Sequence, residues 1–212
     1  MHRREPCRWR RRKEARPGEI IEAALDLFVT SGFNATRLED VAKRAGISKG
    51  TLYLYFRSKE DLFRAVVQQI IIPEVEKAEQ HAASFTGSQQ ELLTHMINNW
   101  WNVIGKTRLA GIPKLMVSEA ANFPELARFY VKNVVSRARK IMTDAIQKGI
   151  EQGEFRTCDP NSASRLLIAP LVFAVIWEKS LAPFDSQTYD VEDYIRSHIN
   201  FFFDGISAKG KD

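Results

Sequence analysis

Apolar residues recur along most of the chain at the spacing of α-helices. A first helix is predicted after Pro17, because apolar residues between Ile20 and Phe28 fall on one helical face. Gly32 follows at a place where a left-handed residue would end this helix. No segment shows the alternation of a β-strand followed by a hairpin turn. The pattern therefore predicts an all-α fold.

Two short helices joined by a tight turn are predicted next, between residues 36 and 56. Thr36 and Glu39 have the spacing of a capping box at the start of the first of them. Ser48 can cap the second, and Gly46 lies at the turn between the two. This is the arrangement of a helix-turn-helix, whose second helix can enter the major groove of DNA.

The rest of the chain is also predicted to be helical. Ser58 can cap a fourth helix, which runs toward Pro73 and continues with a kink to about residue 83. Five further helices are predicted at 89–104, 109–121, 124–152, 160–181 and 191–206. The predicted organisation is a three-helix amino-terminal unit that is joined through the fourth helix to a larger helical body.

Composition and charge narrow the classes of function. With 44% hydrophobic and 27% charged residues, the chain has the balance of a globular protein with a substantial core. The net charge of +5 is concentrated in residues 1–16, which contain eight basic and two acidic side chains. Such a basic arm suggests a polyanionic partner, either nucleic acid or an anionic membrane surface. A solvated tail without a partner would have the same composition.

Other classes of site have little support in the sequence. Cys7 and Cys158 are too few and too far apart for a disulfide framework or a metal-binding pair, which favours a cytoplasmic location. The longest apolar run, at 166–177, is shorter than the roughly 20 residues that a membrane-spanning helix needs. The histidines are scattered without ligand spacing, and no glycine-rich phosphate loop follows a strand. We therefore predict no metal site, no cofactor and no catalytic residue.

The second short helix has an outward side that can face a duplex. Its inward positions are Ile47, Leu52 and Phe56. The residues outside that inward set are Lys49, Gly50, Thr51, Tyr53 and Tyr55. Residues 46–59 carry three basic and no acidic side chains, as expected for a surface that meets phosphates. The alternative is that both tyrosines are half-buried packing residues and that Lys59 is merely a solvated lysine at the start of a helix.

The stretch from Ile20 to Leu62 resembles the amino-terminal domain of the tetracycline-repressor (TetR/AcrR-like) family of bacterial transcription regulators. The resemblance rests on the A-x-x-L-F of the first helix, the segment V-A-x-x-A-G-I-S-K-G-T-L-Y and the junction Y-F-x-S-K-E-x-L. It implies contacts with DNA at eight positions. These are Lys49, Gly50, Thr51 and Tyr53 near bases and adjacent backbone, Tyr55 and Lys59 at phosphates, and Thr36 and Arg37 near the backbone.

A homodimer is expected because one recognition helix buries too little surface to specify a genomic site. The predicted helices at 160–181 and 191–206 are rich in apolar residues. The resemblance implies that these two helices pair with their copies in a four-helix interface. The alternative is a monomer in which both are interior helices.

The resemblance also implies a small-molecule pocket in the helical body. Most of the candidate lining residues are large and aromatic; the alternative is that these belong to the core and that Glu119 lies on the surface. They are Trp100, Trp101, Met116, Glu119, Phe123, Phe129, Tyr130, Phe173 and Trp177.

The sequence thus predicts a basic flexible arm (1–16), a helix-turn-helix DNA-binding domain (17–64) and a helical ligand-binding and dimerisation domain (65–212). The expected function is a cytoplasmic, homodimeric repressor that leaves a near-palindromic operator when a small hydrophobic effector binds. Three alternatives stay open. They are a helical-bundle enzyme, a small-molecule-binding protein without a regulatory role, and a peripheral membrane protein that binds through the basic arm.

Overall fold

The structure is a computed structural model that describes residues 8–187 and 190–208, with side chains from residue 17 onward. The described residues form α-helices with short π- and 3₁₀-helical turns and no β-strand. This confirms the all-α prediction. The chain divides after Ile70 into two compact units.

The described residues of the first unit form four α-helices. They are α1 (Arg8–Ser31), α2 (Leu38–Arg44), α3 (Lys49–Tyr53) and α4 (Lys59–Val66). Helix α1 includes Pro17, whereas the sequence predicts a start after this proline. Arginine, lysine and glutamate before Pro17 are good helix formers, whereas the proline lacks an N–H and removes one backbone hydrogen bond from the helix. Residues 8–16, which belong to the predicted flexible arm, have a helical backbone; residues 1–7 of that arm lie outside the described residues.

Three phenylalanines form the centre of the first unit. Phe28, Phe33 and Phe63 are fully buried, and their ring centroids lie 5.2 to 5.8 Å apart. Tilted and edge-to-face pairs at this separation add to the free energy of burial. Leu52 of α3 is also completely buried. One side of α3 is therefore held by the core, which leaves its other side for solvent or a partner.

Glycines and serines form the turns where the sequence predicts them. Gly32 and Gly46 have φ values of +84° and +66°, a region that strongly favours glycine. The Ser48 hydroxyl accepts a hydrogen bond from Thr51 N–H at the start of α3. Ser58 caps α4 in the same way. These observations confirm the predicted turn and caps.

The predicted capping box of α2 is wrong. The residue at the N-cap is Arg37, and no side chain caps the helix. The Thr36 hydroxyl instead donates to the carbonyl oxygens of Gly32 at 2.7 Å and Leu27 at 3.2 Å. It satisfies carbonyl groups that the end of α1 leaves unpaired, so it is not available at the start of α2.

Seven α-helices are formed by the part of the second unit that the structure describes. They are α5 (Ile72–Ser84), α6 (Gln89–Trp100), α7 (Gly111–Glu119), α8 (Pro124–Tyr130), α9 (Ser136–Glu151), α10 (Pro160–Glu178) and α11 (Val191–Ile206). π-helical segments follow α4, α6 and α8, at Val67–Ile71, Trp101–Gly105 and Val131–Val135. The first of them ends just before Pro73, whose ring clashes with the carbonyl of an ordinary preceding turn.

Helix α10 is the main core helix of the second unit. Leu167 and Leu171 are fully buried, and Val175 is 1% exposed. Within the described part of the chain, α10 is also the one helix that is long and apolar enough to cross a membrane. Only 33% of this apolar stretch is buried in the single chain, so its composition serves the core on one side and leaves apolar side chains exposed on the other.

Polar contacts also connect distant parts of the second unit. The Glu154 carboxylate accepts hydrogen bonds from Gln89 N–H at 2.8 and 3.0 Å, at the start of α6. Arg137 of α9 donates two hydrogen bonds to Glu79 of α5. The His198 ring lies 2.8 Å from the carbonyl oxygen of Leu167, between α11 and α10. These bonds set the positions of the helices that surround a cavity.

Candidate DNA-binding surface and ligand cavity

The turn between α2 and α3 builds a helix-turn-helix. The Ile47 N–H donates to the carbonyl oxygen of Ala42 at 3.0 Å. Ala42 is buried, and its small side chain lets the two helices approach closely. Leu52 and Phe56 then anchor α3 and the residues after it. The geometry is that of a motif whose second helix can project into a groove.

The outward side of α3 is accessible. Lys49 and Gly50 are exposed, and 43% of the Tyr53 surface is exposed. Thr51 is half-buried, and its hydroxyl lies 2.8 Å from that of Ser48. These are the four residues predicted to approach bases.

Leu54 is also exposed, by 83%, although it is not among the residues predicted to face DNA. Apolar periodicity cannot predict this exposure, because a leucine next to buried residues has the pattern of a core residue. Only the structure shows that Leu54 lies on the open side of α3.

Lys49 has an acidic partner within the motif. Its ammonium group forms an ion pair with Glu39 of α2 and lies 5.8 Å from the centre of the Tyr53 ring. The hydrogen bond from Lys49 lowers the pKa of Glu39, and the pKa of Lys49 is raised by the same contact. Both groups stay charged at neutral pH. Lys49 would have to leave Glu39 to contact a phosphate with its full charge.

Lys59 is half-buried and has internal partners. Its ammonium group donates to the carbonyl oxygens of Phe33 at 2.6 Å and Asn34 at 2.9 Å, and lies 4.7 Å from the centre of the Phe33 ring. The predicted alternative of a merely solvated lysine is therefore wrong. Lys59 connects the start of α4 to the segment between α1 and α2.

The other predicted DNA contacts differ in accessibility. Arg37 is exposed at the N-terminal end of α2, and Tyr55 is half-buried. Thr36 is 4% exposed, and its hydroxyl is engaged with the end of α1. The structure thus opposes a contact through the Thr36 side chain, because that side chain serves the packing of α1.

A cavity of about 1010 Å³ lies within the second unit. Residues from α5 to α10 line it, and most of them are apolar. Four of the nine predicted pocket residues are in its wall: Trp100, Met116, Tyr130 and Phe173. Burial raises the pKa of Tyr130, so its hydroxyl stays protonated at neutral pH.

The other five predicted pocket residues do not line this cavity. They are Trp101, Glu119, Phe123, Phe129 and Trp177. Trp101 belongs to the hydrophobic core beside its neighbour Trp100, because consecutive helical residues point about 100° apart. The Trp177 ring packs against Phe173, with 6.0 Å between centroids.

Sequence reasoning missed the polar part of the lining. The rings of His81 and His95 lie there, 4.4 Å apart, and the buried Nε2 of His81 has no partner among the described residues. Arg139 of α9 and Arg165 of α10 also line the cavity. These residues are scattered over four helices, so no local motif could have identified them.

Large apolar side chains are exposed on and between α10 and α11. The most exposed of them in the described residues are Leu166, Phe173, Leu181, Phe184 and Phe201. A concentration of exposed apolar surface is typical of an interaction site.

Two family models match the chain. Residues 20–66 match the model of bacterial regulatory proteins of the tetR family. Residues 91–205, more than half of the 212, match the C-terminal domain of AefR-like transcriptional repressors. The first match contains α2, α3 and α4, and the second contains most of the helices that line the cavity.

Individual relatives agree with these matches. The HTH-type transcriptional regulator RutR of Escherichia coli is 51% identical over 57 residues, 27% of each chain. The HTH-type transcriptional regulator YfiR of Bacillus subtilis is 28% identical over 153 residues, which is 70% of this chain and 72% of that protein. The structure of FadR from B. subtilis in complex with stearoyl-CoA has a TM-score of 0.73 at 23% identity, with coverage of 89% and 98%, a likeness of fold.

Proposed function

The chain belongs to the TetR family of bacterial regulatory proteins, and from that premise we propose that it represses transcription as a homodimer on a near-palindromic operator. A ligand-responsive, DNA-binding transcriptional repressor is the function that the family matches support. The finer proposal adds which residues meet DNA, where two copies pair and where an effector binds. It places the protein in the cytoplasm, with the DNA.

The exposed outer side of α3 is the observation that carries this proposal. Leu52 holds the inner side of the helix, while Lys49, Gly50 and Tyr53 are open to a partner. Gly50 has no side chain to keep the backbone away from base edges. Phosphate contacts set position and affinity, and contacts with base edges set sequence choice.

The remaining contacts fall on either side of α3. We assign Thr51 with Lys49, Gly50 and Tyr53 to the bases and the adjacent backbone. Tyr55, Lys59 and Arg37 are assigned to phosphates. Thr36 is left out because its hydroxyl donates to the end of α1.

Two copies are proposed to pair through α10 and α11. Leu166 and Phe201 are 66% and 78% exposed in the single chain, and Phe184 is 86% exposed. Burial of such side chains against a second copy would stabilise a dimer by about 25 cal/mol per Å² of apolar surface. Two recognition helices could then read half-sites whose centres are about 34–36 Å apart.

The cavity of the second unit is the proposed effector site. Its volume of about 1010 Å³ is at the upper end of the range for small-molecule sites, and its wall is mainly apolar. An effector can release DNA only if it binds the DNA-free arrangement more tightly than the DNA-bound one. The proposal therefore requires a ligand that lowers operator affinity.

Selection of bound duplexes from a random pool tests the DNA-binding part. We expect an inverted repeat with one half-site for each α3. A double variant, Lys49→Ala with Tyr53→Ala, should lose this preference, because both side chains are on the exposed side of α3. The control is Lys132→Ala, which changes an exposed residue of the second unit. This variant should select the same sequence as the wild-type protein. The proposal fails if no sequence is enriched, or if the double variant selects the same site.

A further inference from the structure

The cavity of the second unit has an unequal distribution of charge. Three basic side chains, Lys77, Arg139 and Arg165, line it together with one acidic side chain, Glu74. The Lys77 ammonium lies 2.6 Å from a Glu74 carboxylate oxygen, so these two charges compensate each other. The two arginines account for the remaining positive charge.

Neither Arg139 nor Arg165 has an ion-pair or hydrogen-bond partner among the residues that the structure describes. Arg137, two residues before Arg139 on α9, shows the contrast, since it donates to Glu79 at 2.8 and 2.6 Å. A guanidinium group matches the geometry of carboxylates and phosphates and binds them with two hydrogen bonds. The two arginines of the cavity therefore keep this capacity for a ligand.

The packing of α9 against α10 brings the two arginines to the same region of the wall. The Thr143 hydroxyl lies 3.1 Å from the Ser164 hydroxyl, which fixes the two helices side by side. Arg139 is one helical turn before Thr143, and Arg165 follows Ser164 directly. At 1.5 Å per residue, both lie within about 6 Å of this contact along the helix axes. Arg139 and Arg165 thus both line the cavity close to this contact along the two helices.

We propose that the effector is an amphiphile with an apolar body and an anionic head, a carboxylate or a phosphate, that Arg139 and Arg165 bind. The apolar body fills the part of the cavity lined by residues such as Ile112, Met116 and Val134. The head lies toward solvent, because Arg165 is exposed as well as part of the wall. This inference rests on the proposed function only in taking the cavity as the effector site.

A set of probes that differ only in the head group tests the inference. Dodecanoate, dodecyl phosphate, dodecanol and dodecylammonium are titrated into the full-length protein below their micelle concentrations, and binding is followed by calorimetry. We expect dodecanoate or dodecyl phosphate to bind at least about tenfold more tightly than dodecanol, a difference of 1.4 kcal/mol. The ratio of the two anions identifies the preferred head. Equal affinities for the alcohol and both anions would overturn the inference.

Two variants separate charge from shape. Arg139→Gln with Arg165→Gln should abolish the preference for the anions and leave the affinity for dodecanol unchanged. Lys140→Gln is the matched control, because Lys140 is the next residue of α9 but pairs with Asp144 and does not line this cavity. A preference that survives the double substitution would contradict the assignment.

The response of DNA binding distinguishes this inference from the proposed function. An anionic probe that binds through the two arginines without releasing DNA would support the ligand class and contradict the proposed effector response. Failure of all four probes to bind, with operator binding intact, would overturn the ligand class and leave the DNA-binding function standing.

A second inference rests independently on Leu54. This residue is the C-cap of α3 and is 83% exposed. It follows Gly50 by four residues, so the two share one helical face. No atom of the Leu54 side chain is among those within 4 Å of the position that a Cβ on Gly50 would take, so the backbone of Gly50 stays open beside the leucine.

We infer that Leu54 contributes to sequence specificity by contact with the C5 methyl group of a thymine. In the major groove the methyl group is the apolar feature that marks thymine. A leucine side chain has no hydrogen-bonding group, so it can read this feature and not the donors or acceptors of other bases. This inference rests on the proposed position of α3 in the groove.

Replacement of each operator thymine by deoxyuridine removes only the methyl group and tests this contact. We expect one position in each half-site at which deoxyuridine weakens binding by about threefold to tenfold, and expect Leu54→Ala to lose this sensitivity. Val117→Ala, at an exposed apolar residue of the second unit, is the control. If Leu54→Ala binds the operator specifically and keeps the wild-type sensitivity to deoxyuridine, the Leu54 contact is refuted and the proposed function stands. If the wild-type protein binds no operator specifically, the proposed function is overturned as well.

Discussion

Replacement of Lys59 by methionine tests how the first unit is held together. The substitution keeps an unbranched apolar stem beside the Phe33 ring and removes the ammonium group. The lost contacts are two hydrogen bonds, to the carbonyl oxygens of Phe33 and Asn34, and a cation–π contact at 4.7 Å. The variant therefore isolates the charged group from the packing of its stem.

The expected loss of local stability follows from these contacts. A buried hydrogen bond to a charged group contributes about 1.5–3 kcal/mol, and a cation–π contact at a partly exposed site about 0.5–1 kcal/mol. Because Lys59 is half-buried, contacts with water replace part of the free energy that these interactions contribute. We expect Lys59→Met to lower the free energy of opening of α1–α4 by about 2 kcal/mol.

Native-state hydrogen exchange measures this loss, because it reports the free energy of opening for each helix. Amides of α1 and α4 should exchange faster in the variant, and those of α10 should be unchanged. Lys43→Met, at an exposed residue of α2, is the control. A change of less than about 0.5 kcal/mol, the range of ordinary surface substitutions, would refute the structural role of Lys59.

The same variant tests the proposed phosphate contact of Lys59. Loss of one phosphate contact should reduce the slope of log K against log salt concentration by about 0.9. All sequences should be affected alike, because a phosphate contact carries no base information. An unchanged slope would remove Lys59 from the proposed DNA contacts.

Three further predictions follow from ionic contacts. Glu39→Gln frees Lys49 from its ion pair and removes a negative charge near the DNA, so binding in a gel-shift titration should tighten by about tenfold or less; weaker binding would contradict this. Glu154→Ala removes the acceptor for the N–H groups at the start of α6 and should lower the free energy of unfolding in urea by about 1–2 kcal/mol; an unchanged midpoint would refute it. Hydrogen bonds from Ser162 lower the pKa of Asp159, so its contribution to stability is present above the ordinary carboxyl pKa and is lost as pH falls through the lowered value. The stability difference between wild type and Asp159→Asn should therefore shrink as pH falls below the ordinary carboxyl pKa and through the lowered value, and a difference independent of pH would contradict this origin.

Local chemistry made the helix-turn-helix predictable. Gly46 forms a turn through its own left-handed conformation, and Ser48 caps a helix through a hydrogen bond to a residue three positions later. The inward positions Leu52 and Phe56 follow from helical spacing. Such features depend only on residues that are close in the sequence, so the sequence is sufficient to predict them.

Polar side chains with more than one available partner were not predictable. Thr36 has the spacing of a cap for α2, yet its hydroxyl donates to the end of α1. Lys59 bonds to carbonyl groups about 25 residues away in the sequence. The choice among such partners depends on which backbone groups the fold leaves unpaired nearby.

The residues of the cavity also divide into a part that the sequence predicted and a part that only the structure shows. Helical periodicity identified Trp100, Met116, Tyr130 and Phe173 as large residues of the body, but it could not separate them from Trp101, which lies in the core. The sequence by itself determined the helical class, the turns and the outward side of α3, because these depend on interactions along one helix or across one turn. Only the tertiary structure decided which side chains line the cavity, since that depends on the register of helices distant in the chain. The same register leaves Arg139 and Arg165 without a partner among the described residues and places both in the lining of the cavity.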